Sequence, residues 1–230
     1  YSLFRVRVFG DLLVACCSER GLAFYTLSGG PQLVAYFDSL PARDCYKEGN
    51  YLYVASGKLG RELYVLDISD PANPSLVGVA DSAFNADHLV KLGNYLYASG
   101  WIDGRKLCLY DVSNPASPRF VESVLPDAEE VNGLFLRGNL LYAVGDALYI
   151  LDVSDPANPK LLGSHKEDDY LGLTSSLNEL YVAGSYAYVA ATLTSSGNVI
   201  VFDVSDSTNP KELGRFDFGG LGGYDIAPLP

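Results

Sequence analysis

The sequence predicts an all-β fold, a β-propeller of four-stranded antiparallel blades, and three observations carry that prediction. One motif recurs in register: residues 67–78 read DISDPANPSLVG, 111–122 DVSNPASPRFVE, 152–163 DVSDPANPKLLG and 203–214 DVSDSTNPKELG. The stretches between the copies are short runs rich in Tyr, Val, Leu and Ile, side chains that suit a pleated, half-buried surface. The period, roughly 40 to 50 residues, is the length of one propeller blade. No segment sustains the 3.6-residue apolar period of a helix.

Each blade opens with a strand that ends at a loop glycine: FRVRVFG, ARDCYKEG, ADHLVKLG, VNGLFLRG and LNELYVAG. Two more strands follow, as in NYLYVAS with RELYVLD, NYLYASGW with KLCLYD, NLLYAVG with ALYILD, and YAYVAATL with NVIVFD. In the blade-four pair little but Gly145-Asp146 separates them, hairpin-turn chemistry in which glycine accepts a positive φ. The motif then leads to the outer strand, as in PSLVGVA. The predicted blades span 4–37, 43–80, 86–124, 131–164 and 178–218 within one propeller domain, 1–230. The first carries a worn copy, YTLSGGPQLVAY at 25–36, which keeps the proline but not the aspartate. Residues 219–230, with Tyr224-Asp225-Ile226-Ala227, resemble the opening of a further inner strand or form a tail. A larger or multi-domain parent is favoured over closure at five blades.

The motif is a turn by its chemistry. Ser and Asp side chains bond nearby backbone N–H groups, and Pro71 pre-sets φ at the first central position of a turn. Pro74 then holds Asn73 extended, so the outer strand leaves on a fixed heading. Asp67, Asp111, Asp152 and Asp203 are therefore read as structural turn residues. Calcium at these aspartates is the alternative, although no loop has the alternating carboxylates of an EF-hand.

The segments LYVLDISDPANP, LYILDVSDPANPKLLG and VIVFDVSDSTNP resemble the LVIVD-repeat family of β-propeller proteins, over nearly the whole chain. The resemblance implies a surface or secreted protein and names no chemistry.

Composition narrows the function. The 230 residues are 48% apolar, enough for a sizeable core, and 16 basic against 28 acidic side chains leave a net charge of −12. A nucleic-acid backbone or an anionic bilayer is repelled on average. No apolar run approaches the roughly 20 residues of a membrane span. There is no methionine, so the chain reads as processed or cut from a longer one. With two histidines, a three-histidine zinc site cannot be built. Nucleophile-elbow, HExxH, GxGxxG and P-loop patterns are missing too.

Propeller ligands usually sit where the inner strands begin. The side chains gathered there are Arg5, Arg43, Asp44, Asp87, His88, Glu130, Asn132, Glu179 and Asp225, fed by loops carrying Asp38, Asp81, Asp127, Glu129, Asp168 and Asp169. Blade five is preceded by an insertion at 166–176, and long insertions often mark the binding face of a repeat protein. Asp87 and His88 are neighbours on a strand and face opposite ways, which argues against a joint acid–base role. Trp101 is placed in a loop between the second and third strands as a contact residue. Cys16, Cys17, Cys45 and Cys108 are read as free and mostly buried, with a Cys17–Cys45 link between neighbouring blades as the alternative. The 17 tyrosines pack between blades or form a stacking surface for sugars.

Three function classes stand. The first is a non-enzymatic binding module, secreted or on the cell surface, with a protein or carbohydrate partner. The second is a structural repeat unit of an extracellular assembly, through self-assembly or the domains of a parent chain. The third is a channel-mouth hydrolase or metal-dependent enzyme. No cofactor is expected beyond the calcium alternative, no nucleic-acid partner, and no membrane span.

Overall fold

The computed structural model describes residues 3–57, 63–80, 85–102, 105–125, 127–166, 176–192, 199–217 and 226, with the side chains of 101, 102 and 105 outside that set. The architecture is that of a β-propeller: among the described residues every regular element is a strand, and each runs antiparallel to the next within a four-stranded blade. The chain divides into two compact units, Tyr1–Val124 and Leu125–Pro230. Among the described residues no helix is long and apolar enough to cross a membrane.

Unit one holds three blades. The first is β1 (Arg5–Phe9), β2 (Leu12–Cys16), β3 (Leu22–Thr26) and β4 (Gln32–Phe37). The second is β5 (Asp44–Glu48), β6 (Tyr51–Ala55), β7 (Leu63–Asp67) and β8 (Ser75–Ala80). The third is β9 (Ala86–Leu92), β10 (Tyr95–Ile102), β11 (Arg105–Asp111) and β12 (Arg119–Ser123). Unit two holds β13 (Val131–Arg137), β14 (Leu140–Gly145), β15 (Ala147–Asp152) and β16 (Lys160–Lys166), then β17 (Ser176–Ala183), β18 (Tyr186–Thr192), β19 (Val199–Asp203) and β20 (Lys211–Phe216).

One geometry recurs in all five blades. The glycine between the first two strands (Gly10, Gly49, Gly93, Gly138 and Gly184) has φ between 56° and 66°, which an L side chain adopts only with strain. The carbonyl of the residue after it accepts the N–H that follows the third strand: Leu27 to Asp11 at 2.9 Å, Ile68 to Asn50 at 2.7 Å, and Val112 to Asn94, Val153 to Asn139 and Val204 to Ser185 at 2.8 Å. The first blade shares this lock although its motif copy is worn.

Blades pack face to face. In unit one, Val14, Cys16, Leu22 and Phe24 of the first blade meet Cys45, Leu52, Val54, Tyr64 and Leu66 of the second. Tyr53, Ala55, Leu63 and Val65 of the second meet Leu89, Leu96, Ala98 and Tyr110 of the third. In unit two, Tyr142, Val144, Leu148 and Ile150 meet Leu180, Val182, Val189, Ile200 and Phe202. Strand alternation supplies both faces of each sheet, and each large side chain so buried contributes about 1.5–3 kcal/mol.

Outer-strand glycines let the next blade's motif turn approach. A Cβ on Gly78 would lie 2.1 Å from the Pro115 carbonyl oxygen, and one on Gly163 2.6 Å from that of Thr208. At the blade-four hairpin the expectation needs correcting. Gly145 is not among the residues with positive φ. Glycine is needed there because a Cβ would sit 2.1 Å from the Glu130 carbonyl oxygen.

Candidate functional site

The motif aspartates build a double turn. Oδ1 of Asp67, Asp111, Asp152 and Asp203 accepts the backbone N–H two residues on, at 2.8, 2.9, 2.8 and 2.9 Å. Asp70, Asn114, Asp155 and Asp206 repeat the bond at 3.0, 3.1, 3.2 and 3.0 Å. A backbone turn closes over each second residue, and it survives at Asp206–Asn209 although Ser207 replaces the proline. Accepting these bonds favours the charged carboxylate. The backbone N–H of Ser69 leads in holding Asp67 below its ordinary value, and the Ser113 hydroxyl leads in holding Asp111 down to about 2.

The first strands of unit one carry a charged cluster. Asp44 is fully buried at the head of β5. Its carboxylate accepts Nε and Nη2 of Arg7 at 2.8 and 2.7 Å, and the N–H groups of Cys45 at 2.8 Å and Leu89 at 3.2 Å. Arg5 lies 3.7 Å from the same carboxylate. Burial pushes the Asp44 carboxyl up, and the bonds and charge of Arg7 overcome it, so the net direction is down. Arg5 Nη2 lies 2.8 Å from His88 Nε2. A guanidinium only donates, so this nitrogen accepts and the neutral ring carries its proton on Nδ1. Burial, helped by the Arg5 charge, pushes the imidazole down to about 3. Arg43 pairs with Asp87 and stacks over Phe4 at 5.1 Å. Burial raises the Asp87 carboxyl, with Arg43 opposing.

Of the expected site residues, Arg5, Arg43, Asp44, Asp87 and His88 thus meet in one network. Arg7, which the sequence reading missed, holds it together; the signal was its place two residues from Arg5 on a strand. In unit two, Asn132 Nδ2 donates to Ser176 Oγ at 2.6 Å and to the Leu177 carbonyl at 3.0 Å, and Ser176 Oγ lies 3.2 Å from Glu130 Oε2. Glu179 is buried and accepts the Leu180 N–H at 3.2 Å.

The loop carboxylates divide. Asp38, Asp127 and Glu129 are exposed, and Glu129 accepts from Lys166 at 2.8 Å. Asp81, Asp168, Asp169 and Asp225 lie outside the described residues, as does 167–175 of the insertion, whose ends Lys166 and Ser176 belong to β16 and β17. Trp101 belongs to the strand β10 and not to a loop, because pairing with β9 carries through Gly100 and pairing with β11 resumes at Ile102. All four cysteines are free. The neighbour of buried Cys45 is Cys16 and not Cys17; their hydrogen bond, with burial, pushes the Cys45 thiol well up. Among the described residues no three His, Cys, Asp or Glu group to hold a metal ion.

Solved structures share the fold. A computationally designed protein, Ika8, superposes with a TM-score of 0.69 at 13% identity, over 100% of this chain and 66% of its own, so the chain spans just under two thirds of that protein. A chain from a nidogen/laminin complex superposes with a TM-score of 0.60 at 16% identity, over 93% of this chain and 79% of its own. At these identities the likeness shows the fold alone. No curated protein matches the sequence. The LVIVD repeat matches at residues 42–82, 85–125, 130–166 and 176–218, well over half the chain and in step with four of the five blades. A recurring double turn on recurring four-stranded blades, matched four times by that repeat, makes this chain a member of the LVIVD-repeat family.

Proposed function

We propose that the chain is a non-enzymatic, protein-binding propeller of a secreted or cell-surface protein, with the charged first-strand surface of unit one as its binding face. The observation that carries this is the cluster's inventory. Three partly exposed guanidiniums, Arg5, Arg7 and Arg43, stand around two carboxylates, Asp44 and Asp87, and a neutral imidazole. General acid–base work needs a group that titrates near the working pH. His88, at about 3, is far from it, and the Asp44 carboxylate is held by Arg7 and two backbone N–H groups. Arginine held in a fixed orientation is well suited to an interface, where planar donors meet carboxylates and carbonyls without a large ordering cost. The nidogen/laminin structure supports use of this fold in protein recognition, and kinship with LVIVD proteins supports the extracellular setting.

The test is a binding screen of the purified chain against arrays of extracellular proteins and glycans, followed by affinity measurements on any hit. Arg5→Ala and Arg43→Ala should weaken binding at least tenfold, whereas Glu212→Lys on β20 should leave it unchanged. Equal effects from both sets, or a hit confined to glycans, would overturn the proposal.

A further inference from the structure

The interfaces between consecutive blades within each unit can be compared position by position. Each buries the fifth residue of one blade's second strand together with the residue four before the turn glycine on the next blade's first strand. Between the second and third blades these are Ala55 and Leu89, and between the fourth and fifth Val144 and Leu180, each pair within one apolar cluster. Between the first and second blades they are Cys16 and Cys45, 0% and 1% exposed in the cluster those blades share. Where the fold elsewhere puts two hydrocarbon side chains, this interface puts two thiols, and they share a hydrogen bond.

The backbone holds the pair from both sides. Just beyond β2, Ser18 and Ala42 form an antiparallel bridge, each N–H donating to the other's carbonyl at 3.0 Å, which ties the segment after Cys16 to the segment before Cys45. Ser18 sits there at φ 49°, a left-handed conformation that no other described non-glycine residue adopts, and such strain persists only where the surroundings impose it. Next to Cys45, the Asp44 carboxylate accepts the Cys45 N–H and holds Arg7 of β1. The other two cysteines are placed elsewhere. Cys17, next to Cys16 on extended chain, turns to the opposite side and is partly exposed, with its Sγ 3.5 Å from the Ala15 carbonyl oxygen. Cys108 is buried in the cluster between the second and third blades.

We propose that Cys16 and Cys45 are a dithiol placed to close into a disulfide that fastens blade one to blade two. The oxidant is a low-molecular-weight disulfide. One cysteine, as thiolate, attacks it and displaces a small thiol; the second attacks the mixed disulfide so formed and displaces the other. The Cys16–Cys45 S–S bond forms, the oxidant's S–S bond breaks, and two electrons and both thiol protons leave with the two small thiols. The hydrogen bond with Cys16, and burial, push the Cys45 thiol well up, so thiolate is scarce once the blades have docked and the bond is made while they dock. The link closes a loop of about 30 residues. It also joins the blade that carries Arg5 and Arg7 to the blade that carries Asp44, so it secures both halves of the charged cluster. The pairing belongs to the blade interface and needs no partner protein; the extracellular setting proposed above would supply the oxidant.

The experiment unfolds the full chain with reductant and refolds it by dilution into oxidised and reduced glutathione. The product is denatured, alkylated and digested without reduction for mass spectrometry. The wild type should yield a cross-link between the segments of Cys16 and Cys45, with Cys108 alkylated. Because Cys16 and Cys17 are adjacent, Cys17→Ser decides the partner: it should retain the link, and reducing that link should lower Tm by about 5–10 °C. Cys16→Ala, which copies the alanine at position 55, should keep the wild-type circular dichroism spectrum, leave Cys45 alkylated and show one Tm with and without reductant. Free thiols at all four cysteines of the refolded wild type would overturn the proposal, and so would loss of the link in Cys17→Ser or its survival in Cys16→Ala.

Discussion

The imidazole of His165 on β16 meets the ring of Phe202 on β19 edge to face, with centroids 5.3 Å apart and planes at 65°. Phe202 is fully buried, so the outer strand of the fourth blade helps to close the core of the fifth. Two residues earlier on the same strand, Gly163 lets the Ser207–Thr208 turn of the next blade rest on its backbone. Blade cohesion in this protein therefore draws on outer strands as well as on central ones.

That dependence gives the first prediction. Gly163→Ala and Gly78→Ala place a methyl group into neighbouring backbone, at 2.6 Å and 2.1 Å respectively, and backbone cannot swing aside as a side chain can. Each should lower unfolding free energy by about 1–3 kcal/mol. Gly214→Ala, with nothing within 4 Å, should leave the stability of the single chain unchanged. Urea denaturation of the three variants decides it, and equal effects would sink the account.

Asp44 is the next. It is fully buried and holds Arg7 by two bonds and two backbone N–H groups by one each. Asp44→Ala leaves those donors facing a void, and breaking a buried charged pair from one side typically costs about 3–5 kcal/mol. A loss below about 1 kcal/mol in denaturant titration would show that Arg7 finds water instead.

For His88 the prediction concerns pH. Its folded value, about 3, lies below its ordinary 6.5, so between the two the unfolded chain binds a proton that the folded chain does not. Its contribution is fully present above the ordinary value and drains away as pH falls toward the folded one. His88→Gln removes that slope, so the stability difference between wild type and variant should shrink as the solution is acidified. A difference independent of pH would mean that the ring is not held neutral.

The last prediction treats the motif aspartates as turn formers. Asp152→Ala removes the acceptor of the Ser154 N–H, and Tm should fall by a few degrees. The wild-type Tm should be the same with and without EDTA. A drop on adding the chelator would assign these carboxylates to an ion.

The fold was readable from the chain alone because its determinants are local. Period-two alternation, a glycine at each first turn, and Asp-x-Ser followed by Pro or Ser act within a few residues, so the four motif copies announced four blades and the worn copy at 25–36 a fifth. The candidate site was only partly readable. Arg5, Arg43, Asp44, Asp87 and His88 could be gathered by counting strand starts, but that Arg7 rather than Arg5 holds Asp44, across 37 positions, is a matter of distance in space. Gly145 shows the same limit: its residue type announced a tight turn, while the reason for it, the Glu130 carbonyl, comes from a strand entrance 15 residues earlier. Tertiary structure alone decided which apolar rows are covered. Val6 and Leu89 read alike as strand residues, yet Val6 is 43% exposed and Leu89 is core because the second blade's Tyr53 and Val65 pack in its cluster, and burial belongs to the pair of surfaces and not to either sequence.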